Sequence, residues 1–515
     1  MWQYNLGLKF HFLAKNNKNS KALITNEITY NFIDLEKRSS QIGNWLIKNN
    51  FFLNDRVCIS SKKSFDIFSL LIACLKIGIS FTFIDHKSPN KRLEKIIAQI
   101  KPKAIFADEI LINNLNGQKK EISVYNLSKI SRNFKMENKN LDQKILNSVP
   151  SSTIAYTMFT SGSTGIPKGA TISHANVLNF SDWCKEEYDI KIKDVVTNLN
   201  PLFFDNSIFD IFGGLFNGAG IIPIESSKLL DPKNLIKYIE KKKATIWFSV
   251  PSLLVYLMSF NVIKKNSLLP LKKIIFGGEG FPKNILKKLY SLLGKRINLI
   301  NVYGPTECTC ICSSYKIQPR DFSKNEMLKY APLGKKLSKN FYSLILNSKM
   351  KPVKTGEIGE LFIGGQNVGL GYINDKERTA EKFIQNPLNS FYRDTVYKSG
   401  DLVYVDPKTQ YIYYSARADN QIKFQGYRIE LEDIEHAFRS IEGVKEIAVT
   451  YGKKNNMDEI TCWLVHSTSL DLIKKKIRFL LPSYMIPKNF FELNILPRNQ
   501  NGKIDKRDIK NKYYD

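Results

Sequence analysis

Apolar and polar residues along the first 150 positions follow a pattern that predicts helices and buried strands in alternation. Residues 65–76 carry apolar side chains at helical spacing, and the pattern stops at Gly78. Residues 80–85 form a short apolar run, which is typical of a buried strand. Residues 154–159 are a second such run, followed by a polar, glycine-rich turn. This alternation predicts an α/β fold with layered helices and largely parallel strands.

Length and composition place these elements in a packed protein with more than one domain. The chain has 515 residues, which exceeds the size of one ordinary hydrophobic core. Hydrophobic residues make up 43% of the chain and aromatic residues 12%, a content that excludes an intrinsically disordered chain. The most apolar stretch, residues 208–224, is interrupted by Asp210 and several glycines, so the sequence predicts no membrane-spanning helix.

The formal net charge of +29 raises the question of an acidic partner, such as a nucleic acid or an anionic membrane. The lysines are, however, scattered among many Asn and Ile residues and do not form one basic arm. Short clusters at residues 241–243 and 474–476 fall in stretches of helical character, where solvent-exposed faces account for them. We therefore expect no nucleic-acid function, although the charge would attract acidic partners.

Seven cysteines in a chain without a recognisable secretory segment indicate reduced thiols and a cytoplasmic location. Three of them, Cys308, Cys310 and Cys312, alternate along the chain, and this period predicts that they share one face of a strand. A zinc site is the alternative, but common zinc sites use C-x₂-C pairs together with a second ligand pair. The spacing therefore favours a structural role.

The glycine-rich turn at residues 160–169 carries the first candidate chemistry. Its glycines allow close backbone approach, its hydroxyl and N–H groups can donate to oxygen, and Lys168 adds a positive charge. Together these features suit a polyphosphate. The turn is not a Walker A loop, because Pro167 precedes Lys168 and Gly169 follows it.

Residues 156–169 resemble the phosphate loop of the ANL superfamily of adenylate-forming enzymes, which includes acyl-CoA synthetases, peptide-synthetase adenylation domains and luciferases. The segment Asn-Val-Tyr-Gly-Pro-Thr-Glu at residues 301–307 closely matches another signature of that superfamily. Further signatures occur before and after these two segments, in the superfamily's order and over nearly the whole chain. They lie at residues 28–35, 75–85, 203–210, 276–280, 359–372, 397–402, 416–430 and 496–505. The segment 359–372 is predicted to form a turn and strand without direct chemistry.

The resemblance implies that the chain binds ATP and Mg²⁺. Glu307 would hold the metal, which suits a carboxylate because Mg²⁺ also takes phosphate oxygens. Asp401 would accept hydrogen bonds from both ribose hydroxyls, the alternative being a simple turn residue. The residues predicted to bind ATP are Thr160, Ser161, Gly162, Ser163, Thr164, Gly165, Lys168, Gly278, Glu279, Gly280, Asn301, Tyr303, Gly304, Thr306, Asp401, Arg417 and Arg428.

Asp205 separates the substrate classes of the superfamily. In amino-acid-activating members, the Asp of this Phe-Asp-x-Ser signature pairs with the α-ammonium group of the substrate, and a desolvated cation needs such a partner. The alternative is a helix N-cap, because Asp often precedes an apolar helical run. Relatives that activate fatty or aryl acids bind no ammonium group and usually lack this Asp.

The side-chain pocket is carried over from peptide-synthetase adenylation domains. Phe209 and Phe248 would narrow it and favour a small amino acid, whereas Gly277 would open it. The substrate could be D-alanine, but the sequence does not fix the amino acid or its chirality. The predicted substrate-binding residues are Asp205, Asn206, Phe209, Phe248, Ile275, Gly277, Val302 and Cys310.

The resemblance also implies two domains and two reaction steps. A large N-terminal domain of layered α/β sheets would cover residues 1–418, and a small mobile α/β lid would cover residues 419–515, with Asp419 as the hinge. Lys503 would be catalytic in forming an acyl-adenylate and pyrophosphate. The lid would then rotate, and the loop around Gly426 would meet the pantetheine arm of a carrier. Ala416 departs from the usual glycine and could stiffen the turn.

The chain ends about ten residues after the signature of Lys503, so we expect a stand-alone enzyme that loads a separate carrier protein, as D-alanine–carrier-protein ligases do. Carrier proteins are typically acidic, which agrees with a basic enzyme. Two other classes stay open. One is an AMP-forming acyl- or aryl-CoA ligase, which Asp205 disfavours. The other is a non-enzymatic anion- or nucleic-acid-binding protein, which the full set of ATP signatures disfavours.

Overall fold

A computed structural model describes residues 3–115, 122–134, 140–162, 165–323, 330–334, 341–419, 421–454, 457–498 and 504–514. Its backbone contacts divide the chain into two compact units. Unit 1 comprises Met1–His86, Lys101–Met158 and Ala170–Ala418, and unit 2 comprises Lys87–Ile100, Phe159–Gly169 and Asp419–Asp515. The functional domain boundary between residues 418 and 419 stays a prediction.

A largely parallel seven-stranded sheet confirms the α/β pattern expected for the first 150 residues. The run predicted at residues 80–85 forms the fully buried strand Ser80–Ile84, and that at 154–159 forms Ile154–Thr160. The helix Phe65–Ile77 ends at Gly78, whose φ of 74° lies in the left-handed region that favours glycine. The strand order is Gly371–Tyr372, Lys168–Ser173, Ile154–Thr160, Ser80–Ile84, Arg56–Ser60, Ala104–Ala107 and Ser123–Asn126.

An eight-stranded sheet forms the second layer of unit 1. Its six central strands are parallel, and each of the two outermost strands is antiparallel to its neighbour. In parallel strands all carboxyl ends meet at one edge of the sheet and all amino ends at the other. The strand order is Ser313–Lys316, Asn298–Tyr303, Lys273–Gly277, Ile246–Ser249, Val195–Asn198, Gly220–Pro223, Lys21–Ile24 and Thr29–Asn31.

A smaller antiparallel sheet completes the strands of unit 1. It consists of Phe341–Leu346, Gly359–Gly365, Thr395–Val405, Phe383–Gln385 and Ile412–Arg417. The α-helices of this unit are Leu6–Asn16, Phe32–Lys48, Phe65–Ile77, Glu109–Leu115, Leu127–Phe134, Gln143–Asn147, His174–Glu187, Asn206–Ile208, Pro232–Lys241, Pro251–Ser259, Lys283–Leu293 and Lys376–Lys382. Within the described ranges, every helix is too short or too polar to cross a membrane.

Unit 2 has its own apolar core. A hairpin of Gln421–Phe424 and Tyr427–Glu430 leads into a three-stranded sheet of Val444–Lys454, Met457–His466 and Asn489–Glu492. Its helices are Asn90–Ile100, Leu431–Arg439, Leu470–Ile477 and Lys506–Tyr513. Ile434 and Phe438 pack with Ile447 and Leu464 in this core, so the helix Leu431–Arg439 lies on the sheet.

The prediction that the three alternating cysteines share one face of a strand is wrong. Cys308 ends a 3₁₀ turn, Cys310 has a φ of 74°, and the next strand begins only at Ser313. The left-handed residues Thr309 and Cys310 break the extended backbone, so the period of two does not describe one face. All three thiols are buried, and Cys310 packs in a different apolar cluster from Cys308 and Cys312.

Candidate functional site

Several predicted site residues of unit 1 lie where parallel strands of the eight-stranded sheet end. The strand Lys273–Gly277 leads into Gly278, Glu279 and Gly280, and its neighbour Asn298–Tyr303 leads into the segment 304–307. Both segments therefore leave the same edge of the sheet. Crevices outside the carboxyl ends of parallel strands are common ligand sites in α/β folds.

Asp205 contacts the segment 304–307 through its side chain. Thr306 Oγ1 donates a hydrogen bond to Asp205 Oδ2. Asp205 precedes the short helix Asn206–Ile208, but its φ of −61° is already helical and its side chain makes no capping bond. The alternative role as a helix N-cap is therefore wrong.

The apolar residues predicted for the pocket come together in one buried cluster. The rings of Phe209 and Phe248 lie 4.9 Å apart at an interplanar angle of 67°. Phe248 pairs with Ile275 across neighbouring strands. Burial, with the nearby charge of Asp205, raises the pKa of the Cys310 thiol well above its usual value, so this side chain is neutral. The cluster contains Phe209, Phe248, Ile275, Val302 and Cys310.

Gly277 meets a backbone requirement as well as the predicted need for an open pocket. A Cβ atom at this position would lie 2.4 Å from the carbonyl oxygen of Val302 on the paired strand. The close approach of the two strands therefore demands glycine. Asn206 is buried beside Gly278, and its Nδ2 has no hydrogen-bond partner among the described residues. An unpartnered buried donor of this kind suits a ligand oxygen.

Asp401 is held between two donors. Tyr303 Oη donates to Asp401 Oδ2 at 2.5 Å, and Arg417 Nη1 donates to Asp401 Oδ1 at 2.8 Å. Burial, reinforced by the Asp401 carboxylate, raises the pKa of Tyr303 well above its usual value and keeps the phenol protonated. A carboxylate has about four acceptor positions, so Asp401 can accept ribose hydroxyls in addition to these donors. Its place within the long strand Thr395–Val405 argues against a simple turn residue.

Glu307 is fully buried and is oriented by a residue that the sequence analysis left without chemistry. Tyr372 Oη donates to Glu307 Oε1 at 2.7 Å. Across the described ranges, no group of three or more His, Cys, Asp or Glu residues is placed to hold a metal. A Mg²⁺ ion that takes most of its ligands from phosphate and water needs only one or two carboxylates, so Glu307 fits that role.

The remaining predicted residues of unit 1 flank the same strand ends. Asn301 Nδ2 donates to the carbonyl of Pro332 at 2.9 Å, and Glu279 Oε1 accepts from the backbone of Ser252 at 2.6 Å. A Cβ atom at Gly280 would lie 2.4 Å from the Tyr330 ring, and one at Gly304 would lie 2.3 Å from the Cys310 carbonyl. Both glycines are therefore fixed by close neighbours.

A buried polar network supports the backbone behind Phe248. Asp210 Oδ2 accepts from Asn198 Nδ2 at 2.9 Å and from Asn200 Nδ2 at 3.3 Å, and the latter also donates to the Phe248 carbonyl at 3.2 Å. Lys63 Nζ donates to the Asn198 carbonyl at 2.6 Å. Burial raises the pKa of Asp210 and lowers that of Lys63. The sequence analysis missed this network, because Lys63 and Phe248 lie far along the chain from its other members.

The phosphate loop lies in unit 2, where a helix from the first hundred residues holds it. Lys95 Nζ donates to the carbonyl of Gly165 at 2.6 Å, and Gln99 Nε2 donates to that of Pro167 at 2.7 Å. A Cβ atom at Gly162 would lie 2.0 Å from the Ile166 carbonyl, so the tight turn requires glycine. Ser163 and Thr164 lie outside the described residues.

The cation and a hydroxyl of this loop contact the hairpin at residues 421–430. Lys168 Nζ lies 2.8 Å from Glu430 Oε1, and both side chains are buried. Gln421 Nε2 donates to the same oxygen at 2.6 Å. Ser161 Oγ donates to the carbonyl of Arg428 at 2.8 Å and accepts from the backbone of Glu430. A polyphosphate at this loop would therefore compete with Glu430 for Lys168.

Replacing Glu430 with Gln is expected to lower the KM for ATP by about fivefold, because Lys168 loses its competing anion while the amide keeps the shape. Steady-state ATP–pyrophosphate exchange measures this KM. Glu442→Gln is the matched control, since it removes an exposed carboxylate from the same unit. A KM for ATP that stays unchanged or rises in the Glu430 variant would contradict the competition.

The predicted lid residues are only partly described. Asp419 Oδ1 accepts from the backbone of Gln421 at 3.3 Å at the start of the hairpin. Gln425 and Gly426 form its turn with φ of 51° and 80°, the left-handed pair that tight hairpins favour. Lys503 lies outside the described residues, so its catalytic role stays a prediction.

Comparison with known proteins gives a family. The model of the family described as AMP-binding enzyme matches residues 10–373. Bacitracin synthase 1 of Bacillus licheniformis is 31% identical over 94% of this chain, which spans only 9% of the length of that relative. Zwittermicin A synthase ZmaJ of Bacillus cereus is 29% identical, over 94% of this chain and 91% of its own length.

Two solved structures share the fold over nearly the whole chain. The first is the adenylation domain AlmE of Vibrio cholerae in complex with glycyl-adenosine-5'-phosphate, with a TM-score of 0.83 at 20% identity and coverage of 99% of this chain and 98% of that one. The second is NpsA-ThdA, an artificially fused adenylation–PCP di-domain from Klebsiella oxytoca, with a TM-score of 0.81 at 21% identity and coverage of 95% and 94%. Both support an α/β fold with a large and a small domain.

Proposed function

The chain belongs to the family of AMP-binding enzymes, and on that premise we propose that it is an AMP-forming ligase that activates an amino acid. The carboxylate of the amino acid would attack the α-phosphorus of ATP, forming an aminoacyl-adenylate and releasing pyrophosphate. The observation that carries this proposal is the position of Asp205, which contacts Thr306 instead of capping a helix.

The chemistry of this step calls for positioning and for positive charge. Two anions approach each other, and negative charge builds on phosphate oxygens. We propose that Lys168 and Lys503 supply counter-charge and that Asp401 orients the ribose. Mg²⁺ would be held by Glu307 and would neutralise phosphate charge when bound. The Tyr372 hydroxyl, which donates to Glu307 Oε1, would keep that carboxylate oriented.

The pocket favours a small amino acid. Asp205 supplies the negative charge that an α-ammonium group needs in a desolvated site. The rings of Phe209 and Phe248 contact each other edge to face in the buried cluster and limit the space for a side chain. AlmE, which shares the fold, is in complex with a glycyl-adenylate. Glycine and alanine of either hand are therefore the first candidates, D-alanine among them.

We further propose that the aminoacyl group is transferred to the phosphopantetheine thiol of a carrier protein. The thiol would attack the acyl carbon, and AMP would leave. NpsA-ThdA joins an adenylation domain to such a partner, described as a PCP domain. The net charge of +29 would attract an acidic carrier, and the buried free thiols agree with a cytoplasmic location.

ATP–pyrophosphate exchange across a panel of L- and D-amino acids tests the proposal. We expect exchange with one or a few small amino acids and none with fatty or aryl acids. Exchange only with acids that lack an amine, together with thioester formation on CoA, would contradict it and indicate an acyl- or aryl-CoA ligase. The panel with both kinds of acid separates these outcomes in one assay.

A further inference from the structure

Lysines that are scattered in the sequence meet at one edge of the eight-stranded sheet. The loops that precede four adjacent parallel strands lie side by side at their amino ends. Lys272 Nζ and Thr245 Oγ1 both donate to Asp194 Oδ1, at 2.7 Å and 2.9 Å. Arg296 donates to the carbonyls of Ser267 and Leu268, which joins a third and a fourth loop. Four separate stretches of the chain thus form one surface.

Three of the four loops come from a strongly basic stretch of the chain. Residues 228–296 contain fifteen Lys and Arg residues against three Asp and Glu, a net +12 of the total +29, and part of this charge lies on the helices between the loops. Carboxylates at this edge include Glu187, Asp189, Asp194 and Glu240, and Asp194 and Glu240 are engaged by neighbouring loops. We define the basic edge by its exposed cations, which are Lys191, Lys193, Lys243, Lys264, Lys265, Lys272, Lys295 and Arg296.

Large apolar side chains are exposed among these cations. Ile192 stands between Lys191 and Lys193 and is 47% exposed. Phe260, at the end of the helix Pro251–Ser259, is 57% exposed, and Leu269 is 65% exposed. Exposure of these apolar side chains to water is unfavourable, and a partner that covers them would lower the free energy.

We propose that the basic edge docks on an anionic lipid bilayer. Lysines near such a surface are attracted to its acidic headgroups, and exposed Leu, Ile and Phe side chains can enter the boundary with the acyl chains. The carboxyl ends of the same strands, with Gly278 and Thr306, lie at the opposite edge of the sheet. Docking would therefore leave that end of unit 1 open to substrates.

Other acidic partners agree less well with the surface. Nucleic acids are bound through Arg forks and stacking aromatic rings, whereas this edge is made of lysines and one arginine. Of the three exposed apolar side chains, Phe260 alone has a ring on which a base could stack, and Ile192 and Leu269 are aliphatic. A bilayer accepts both the point charges and the aliphatic side chains. The inference rests on the surface alone and does not depend on the proposed reaction.

Co-sedimentation of the full chain with vesicles tests the docking. Vesicles of phosphatidylcholine with about 30% phosphatidylglycerol are compared with pure phosphatidylcholine at low and high salt. We expect binding to the anionic vesicles alone, and at least a roughly tenfold weaker binding for Lys264→Glu combined with Lys265→Glu. Lys349→Glu combined with Lys351→Glu is the matched control, because it makes the same charge change at an exposed turn elsewhere in unit 1.

The second arm separates lipid insertion from charge alone. Phe260→Ser combined with Leu269→Ser is expected to weaken vesicle binding several-fold, while its far-UV circular dichroism spectrum and its cooperative thermal unfolding stay those of the wild type, which shows that the variant is folded. Absence of binding to the anionic vesicles would overturn the proposal, and so would an equal loss in the control. Tighter binding to single-stranded RNA than to the vesicles would also overturn it, in favour of a nucleic-acid partner.

Discussion

Replacing Lys503 with alanine is expected to slow aminoacyl-adenylate formation by roughly a thousandfold, while transfer from preformed adenylate to a thiol stays within a few-fold of the wild-type rate. The lysine after Asn-Gly in the signature at residues 496–505 is the predicted source of positive charge for the α-phosphate. We expect that charge to act while pyrophosphate leaves and to have no part in the attack of a thiol on an acyl carbon, so the two steps should separate.

Two assays measure this separation. Single-turnover formation of the adenylate reports the first step, and aminoacylation of pantetheine from synthetic adenylate reports the second. Lys512→Ala is the matched control, because Lys512 is an exposed lysine of the same unit that pairs with Asp508 in a helix-surface ion pair. Equal losses in both steps would contradict the division of labour and indicate a damaged fold.

The local signatures predicted much of the candidate site, because each of them is a short stretch whose backbone and side chains act together. Tyr303 and Asp401 were predicted separately from two motifs, and the structure joins them by a hydrogen bond. The alternation of helices and strands predicted the parallel sheets for the same reason, since the period of the apolar residues is a local property. Local patterns therefore predicted the elements, and the roles of the individual site residues stay predictions.

Partners that are far apart in sequence could not be predicted in this way. Glu430 is separated from Lys168 by 262 positions, and Tyr372 from Glu307 by 65 positions. No spacing rule relates such residues, because only the packed fold brings them together. The basic edge is the same kind of feature, since parallel strands gather loops that are distant along the chain. The wrong strand prediction for the cysteines has a local cause. Their regular spacing is typical of a strand, but the left-handed residues Thr309 and Cys310 interrupt the extended backbone.

Replacing Asp205 with Asn is expected to raise the KM for the amino acid by about a hundredfold and to change the KM for ATP little. The amide keeps an oxygen that can accept from Thr306, so the contact between the two segments survives the change. Only the negative charge is lost, and the α-ammonium group of the substrate is then desolvated without a counter-charge.

The matching acid without the amine makes this test specific. The wild-type enzyme should have a much lower KM for the amino acid than for its desamino analogue. Asp205→Asn should remove most of that difference, because it raises the KM for the amino acid and leaves the KM for the analogue unchanged. Asp471→Asn, an exposed carboxylate in unit 2, is the control for the change in net charge. An equal rise in KM for both acids would show that Asp205 positions Thr306 and does not anchor an amine. In that case the substrate class, and with it the proposed function, would have to be revised.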